Sequence, residues 1–180
     1  MQTITPYSTL TPDTVLDALE SVGLRSDGRL LTLNSYENRV YQIGLEDTAS
    51  VVAKFYRPAR WTEQQILEEH LFTRELAEQE IPVVAPLELQ GRTLNSFKEF
   101  SFAVYPRRGG RAPELGDPAT LEWMGRFIGR IHATGTLQPF QYRPALNIAS
   151  FGEEPQTYLL SMIGFQPNSS PRGVALRTRR

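Results

Sequence analysis

The sequence predicts an α+β domain, an antiparallel sheet with a helix against one face, followed by the start of a helical region. Three observations carry this. Short apolar runs rich in Val, Phe and Tyr recur at Arg39–Ile43, Val51–Tyr56 and Phe100–Tyr105. Two capped helical patterns interrupt and precede them, at Thr11-Pro12-Asp13 and Thr62-Glu63-Gln64-Gln65. A long helical pattern beginning at Pro118 comes only after the last strand, so strands and helices are segregated rather than strictly alternating.

The elements follow in order. Thr11 is a capping residue and Pro12 suits the first helical position. Val15, Leu16, Leu19 and Val22 keep helical spacing until Gly23 ends the helix. Leu30–Leu33 and Arg39–Ile43 read as strands around the polar stretch Asn34-Ser35-Tyr36-Glu37-Asn38. Val51–Tyr56 is a third strand closed by Pro58. Thr62 and Gln65 form a capping box for a helix to about Gln79, with Ile66, Leu67, Leu71 and Leu76 expected inward. Val83–Leu89 and Arg92–Leu94 suggest a hairpin over Gln90-Gly91. Phe100–Tyr105 is a strand ended by Pro106, and Gly109-Gly110 is a flexible connector. Pro118 to about Ala133 is a helix with Leu121, Met124, Ile128 and Ile131 on one face. Gln138–Pro155 reads as loop, and Tyr158–Ile163 as a short helix. The expected organisation is a first domain over 1–105, a connector and second-domain start over 106–163, and an atypical, disordered tail over 164–180.

Composition narrows the function. A 180-residue chain with 40% hydrophobic and 10% aromatic residues can build a core. A formal net charge of -1 gives no global basic excess for nucleic acid or an anionic membrane, and no apolar run approaches the ~20 residues of a membrane span. The absence of cysteine excludes disulfides and thiol chemistry. His70 and His132 are too few for a zinc site and read as packing, surface or helix-end residues. A cytoplasmic protein is expected.

Among 19 basic residues only Lys54 and Lys98 are lysine. Lys54 sits in the apolar strand Val51-Val52-Ala53-Lys54-Phe55-Tyr56, where an ammonium needs a negative partner. Glu68 and Glu69 on the following helix are both candidates, as is a ligand phosphate; a strand-edge lysine with its stem packed and its head in water is the plainer reading. The Asn34–Asn38 tip has no glycine, and Asn34, Ser35 and Asn38 can turn tightly and donate hydrogen bonds. It is either a phosphate-facing loop or an ordinary polar turn. Val104-Tyr105-Pro106 running into Gly109-Gly110 suits a hinge, or simply a strand and a loop.

Taken together and in order, Leu-Asn-Ser-Tyr-Glu-Asn-Arg-Val-Tyr-Gln (33–42), Val-Ala-Lys-Phe-Tyr-Arg-Pro (52–58), Ile-Leu-Glu-Glu-His (66–70), Phe-Ala-Val-Tyr-Pro (102–106), Gly-Gly-Arg (109–111), Gly-Arg-Ile-His (129–132) and Arg-Pro-Ala (143–145) give the chain a family resemblance. Over about residues 8–163 it resembles the bacterial stress response kinase A family, Ser/Thr protein kinases of the aminoglycoside phosphotransferase and choline kinase superfamily. The resemblance implies a two-lobed, protein-kinase-like fold, here the N-terminal lobe and the start of a helical C-terminal lobe, with ATP and Mg²⁺ between lobes and a protein substrate. It implies that Ser35, with Asn34 and Asn38, contacts ATP at the tip. Lys54 is the phosphate-binding lysine and Glu69 its partner, and Val104, Tyr105 and Pro106 carry the adenine-binding hinge.

The family's His-Gly-Asp-x-His-x-x-Asn loop and its later metal-binding Asp do not occur in this sequence. With the acid-free, arginine-bearing stretch 155–180, this predicts a truncated or frame-shifted product that lacks the catalytic Asp and both Mg²⁺ ligands and is inactive alone. The alternatives are a non-catalytic fragment that binds nucleotide or a partner, self-associating through Leu121, Met124, Phe127 and Ile131 of the incomplete second lobe, and a fragment of a choline- or aminoglycoside-type small-molecule kinase.

Overall fold

The computed structural model describes residues 7–162, which fall into two units divided between Arg143 and Pro144. In the first unit, helix α1 (Pro12–Ser21) starts as the sequence requires: the Thr11 side chain accepts from the Thr14 N–H at 3.2 Å, and Pro12 occupies the first turn. Gly23, at φ +86°, takes the left-handed conformation that turns the chain out of it. Strands β1 (Ser26–Leu33), β2 (Arg39–Leu45) and β3 (Val51–Phe55) precede helix α2 (Glu63–Glu78). Strands β4 (Asn95–Phe97) and β5 (Phe100–Pro106) follow, then helix α3 (Pro118–Gly135). The five strands form one antiparallel sheet in the order β1-β2-β3-β5-β4.

The alternation of β3 divides the molecule into two sides. Val51, Ala53 and Phe55 are buried and join Val15, Ala18 and Leu19 of α1 with Ile43, Phe102 and Val104 in the main core. Phe55 and Phe102 stack at 5.2 Å between centroids, and Phe100 meets Phe55 edge-on at 6.4 Å. Burial of each such ring contributes about 2–3 kcal/mol. Lys54 points the other way, in register with Val40 on β2 and Ala103 on β5. On that side Ala103, Tyr56 and Leu94 pack with Ile66 of α2. The sheet therefore has a helix on each face, where the sequence reading expected one face covered.

Three local expectations change. The inward stripe of α2 is Ile66, His70 and Leu76, while Leu67 and Leu71 are exposed. A histidine takes the place expected of leucine because Tyr56 and Thr93 satisfy both of its ring nitrogens. No hairpin of two strands forms over Val83–Leu94: Pro82 and Pro86 offer no N–H, and only a Leu89–Arg92 bridge closes the Gln90-Gly91 turn. The hairpin lies one step later, where β4 meets β5 across Lys98-Glu99, with Lys98 at φ +52°. Strand β1 also begins earlier than expected, with an irregularity between Ser26 and Leu30 where Gly28 has φ +84°.

Helix α3 is capped by Asp117, whose carboxylate accepts from the N–H groups of Ala119 (3.3 Å) and Thr120 (3.0 Å). Thr134 is its one buried residue, and Leu121 and Ile128, expected on an apolar face, are each 49% exposed. His132 is exposed in its last turn, where a basic group suits the helix dipole.

In the second unit the Asn147 side chain accepts from the Ser150 N–H at 2.9 Å, ahead of a π-helical turn (Ala149–Glu153) and helix α4 (Glu154–Met162). The helix expected over Tyr158–Ile163 thus starts four residues earlier. Ile163 and the tail over 164–180 lie outside the described residues.

Candidate active site

The site is built on the side of the sheet that carries Lys54. Its Nζ donates to Glu69 Oε1 at 2.9 Å and lies 4.6 Å from the centroid of the Tyr56 ring. The pair is half-buried, with 23% of the Lys54 side chain and 33% of the Glu69 side chain exposed. An ammonium has three N–H donors, and Glu69 takes one. Two donors and a residual opening to solvent are left for an anion.

Two capping interactions fix the start of α2. Thr62 Oγ1 accepts from the Gln65 N–H, and the Gln65 side chain accepts from the Thr62 N–H at 2.9 Å. Successive helical residues are turned by about 100°, so the adjacent glutamates face different neighbours. Glu69 meets Lys54. Glu68 accepts the backbone N–H groups of Gln141 (2.5 Å), Tyr142 (3.1 Å) and Arg143 (2.8 Å). Burial raises the Glu68 pKa, but the three N–H groups outweigh it and hold the carboxyl below its ordinary value.

Arg143 completes the cluster. Its guanidinium donates to the other oxygen of Glu69, Oε2, and its Nε donates to the Gln65 carbonyl at 3.2 Å. It lies over the Trp61 ring at 4.7 Å from the centroid. Behind the pair, a buried row joins α2 to the sheet. Thr93 Oγ1 is 2.9 Å from His70 Nδ1, His70 Nε2 is 2.8 Å from the Tyr56 hydroxyl, and that hydroxyl is 3.3 Å from the Tyr105 hydroxyl. Burial pushes the Tyr105 phenol up to about 12 and the Tyr56 phenol higher still. Both remain neutral.

The β1–β2 tip is held by its own bonds. The Ser35 hydroxyl donates to the Asn38 carbonyl, and Asn38 Oδ1 accepts from the Arg57 N–H at 3.2 Å. The Tyr7 hydroxyl donates to the Glu37 carbonyl at 2.9 Å, and Arg60 pairs with the Glu37 carboxylate. Asn34, Ser35 and Tyr36 are exposed at the tip. On β5, the Val104 carbonyl already accepts from the Leu87 N–H at 2.7 Å. Pro106, paired in register with Val51 of β3, has no N–H to donate.

Lys54 and Glu69, named from the sequence, are thus in direct contact. The sequence reading missed what surrounds them: Arg143, noticed only as part of Arg-Pro-Ala, Glu68 as an anchor of the 141–143 backbone, and Tyr56. No local pattern marks Arg143, because its partners lie about 75 residues earlier in the chain. Among the described residues no group of three or more His, Asp or Glu side chains converges, so no metal position is assigned. No helix among them is long and apolar enough to cross a membrane.

Comparison with known proteins places the chain in a family. Residues 30–161 match the phosphotransferase enzyme family. Stress response kinase A of Escherichia coli K12 is 48% identical over 150 residues, 83% of this chain and 46% of the relative. Stress response kinase A of Salmonella typhi is 46% identical over the same share, and a serine/threonine protein kinase, RdoA, of Salmonella typhimurium LT2 is 45% identical. The chain therefore spans about half the length of the curated relatives it matches. Among solved structures, amicoumacin kinase hAmiN in complex with AMP-PNP, Ca²⁺ and Ami superposes with a TM-score of 0.64 at 22% identity, over 87% of this chain and 48% of that one. That likeness establishes a shared kinase-like fold.

Proposed function

The chain belongs to the phosphotransferase enzyme family, and from that premise we propose that its first unit is the nucleotide-binding part of an ATP-dependent Ser/Thr protein kinase of the stress-response type. The observation that carries the reading is the Lys54–Glu69 pair, a half-buried ammonium held by one carboxylate oxygen with donors to spare. In phosphoryl transfer the protein mainly positions the phosphates and offsets their charge, and a strand lysine fixed by a helix glutamate is suited to both. Lys54 binds the ATP phosphates. Ser35, Asn34 and Asn38 cover them from the tip, and Val104, Tyr105 and Pro106 line the adenine side. Ser/Thr specificity and a protein acceptor rest on the names of the relatives.

Mg²⁺ bound with ATP would neutralise the phosphates during transfer. The described residues of this chain do not supply a ligand set for it, and the sequence holds no His-Gly-Asp loop to orient an acceptor hydroxyl. We therefore propose that these 180 residues bind nucleotide and do not transfer its phosphate by themselves. Titration calorimetry with ATP tests the first part: binding by the wild-type chain and its loss in Lys54→Met are expected, and equal affinity in the two would refute the assignment. Incubation with labelled ATP, Mg²⁺ and a generic protein substrate tests the second. No transfer is expected, and transfer by the wild-type chain that is lost in Lys54→Met would overturn it.

A second reading is favoured by α3, where Leu121, Trp123 and Ile128 are about half exposed. Such a surface suits a non-catalytic fragment that binds a partner or a second copy. Sedimentation velocity decides: a dimer dispersed by Phe127→Glu supports this reading, and a monomer at all concentrations removes self-association.

A further inference from the structure

Glu69 is shared between two cations through different oxygens, Oε1 facing Lys54 and Oε2 facing Arg143. A carboxylate held by one partner alone can turn about its terminal torsion, which is broad and roughly two-fold. Held at both oxygens, it presents one fixed lone-pair direction to each partner.

The second partner is itself built in. Arg143 is seated over Trp61, tied to the Gln65 carbonyl, and carried on a backbone whose N–H groups at 141, 142 and 143 all end on Glu68. The Gln65 side chain also donates to the Tyr142 carbonyl at 2.9 Å, and Phe140 meets Phe72 of α2 edge-on at 5.1 Å. The segment after α3 is thereby strapped to one face of α2, and it ends on the carboxylate that holds Lys54. The cluster is balanced in charge, Lys54 and Arg143 standing against Glu69 and Glu68.

We propose that Arg143 is a positioning residue: by fixing Glu69 Oε2 it holds Oε1 on Lys54 and so sets the direction of the Lys54 ammonium. Its bearing on nucleotide rests on the phosphate-binding reading of Lys54 given above; the clamp itself does not.

The chain has two lysines, which makes the clamp measurable without any ligand. The probe is acetylation by an amine-reactive ester, followed by peptide mass spectrometry, with Lys98 as the internal reference. In Arg143→Met, Glu69 is free to turn, and the Lys54-to-Lys98 labelling ratio rises roughly threefold or more, the scale of one partly exposed ion pair. Arg143→Lys, which keeps the charge but not the planar fork, falls between. A ratio that stays at the wild-type value, or falls because Lys54 gains a partner no longer shared, overturns the proposal. Should Arg143→Met fail to fold, Trp61→Leu removes the seat and keeps the charge: a raised ratio supports the clamp and a wild-type ratio overturns it.

A second arm compares ATP with adenosine. Arg143→Met is expected to weaken ATP about as much as Lys54→Met and to leave adenosine unchanged. If the wild-type chain binds neither, the nucleotide reading fails and the labelling ratio still decides the clamp. If it binds ATP and Arg143→Met binds ATP equally well, the clamp has no role in binding and the proposal fails.

Discussion

His70 Nε2 stands 2.8 Å from the hydroxyl of Tyr56, and through that contact α2 is tied to the sheet by a buried polar bond. His70 is only 3% exposed, and its Nδ1 is already engaged by Thr93 at 2.9 Å. Burial is the main reason its pKa falls to about 4; Glu69 opposes this, while Lys54 and Arg143 add to it.

The sign of the pH effect follows. The unfolded chain takes up a proton on His70 near its ordinary value of ~6.5, and the folded chain resists until about 4. Stability from this group is complete above ~6.5 and is lost as pH falls toward 4, by at most about 3 kcal/mol. Urea denaturation at pH 7 and pH 5 should show the wild type losing more stability than His70→Gln over that interval. Parallel losses in both proteins would refute the assignment.

Glu68 anchors three consecutive N–H groups, so Glu68→Ala should release them together. Amide exchange at Gln141, Tyr142 and Arg143 is expected to rise at least tenfold, with a loss of about 1–2 kcal/mol in global stability. Exchange elsewhere in α2 should change less than at these three. Unchanged protection at 141–143 would mean that the hydrogen bonds are not what holds the segment.

Gly44 is enforced by contact rather than by backbone angle. A Cβ there would run into the Asp27 carboxylate, which Arg29 holds in place through its backbone N–H at 2.9 Å and its Nε at 2.8 Å. Gly44→Ala is expected to cost about 1–2 kcal/mol. In an Asp27→Ala background the same change should cost much less, and a double-mutant cycle with no coupling would rule out the clash as the cause.

The α2 capping box is a further target. Thr62→Val keeps the volume and deletes the hydroxyl, which should cost about 1 kcal/mol in thermal or urea unfolding. Because α2 carries Glu69, the Lys54-to-Lys98 labelling ratio should rise slightly as well. A variant as stable as the wild type would show that tertiary packing alone fixes the start of the helix.

Much of this molecule was legible in its sequence where signals are local. The caps at Thr11 and Thr62 and the apolar run around Lys54 announce α1, α2 and β3, because capping and alternation are properties of neighbours in the chain. The β4–β5 hairpin was not legible: Lys98 supplies the positive φ there instead of glycine, while the glycine that does occur, Gly91, marks a turn without strands. His70 was hidden for a different reason. A histidine at a helix position reads as surface until Tyr56 and Thr93, 14 and 23 residues away, are known to face it. Of the site, the sequence favoured Glu69 over Glu68 only through its distance from Leu76. Only the helix phase separates the residue that meets the sheet from the one that meets the 141–143 backbone.

The two-sided strand β3 also makes a statement about heredity. Val51, Ala53 and Phe55 belong to the core and Lys54 to the opposite face, so gain or loss of one codon between Val51 and Lys54 would exchange the two sets and bury the ammonium among phenylalanines. Point substitutions at Val52, which is only partly buried, leave that parity intact. In this stretch of the gene, length is under tighter constraint than wording.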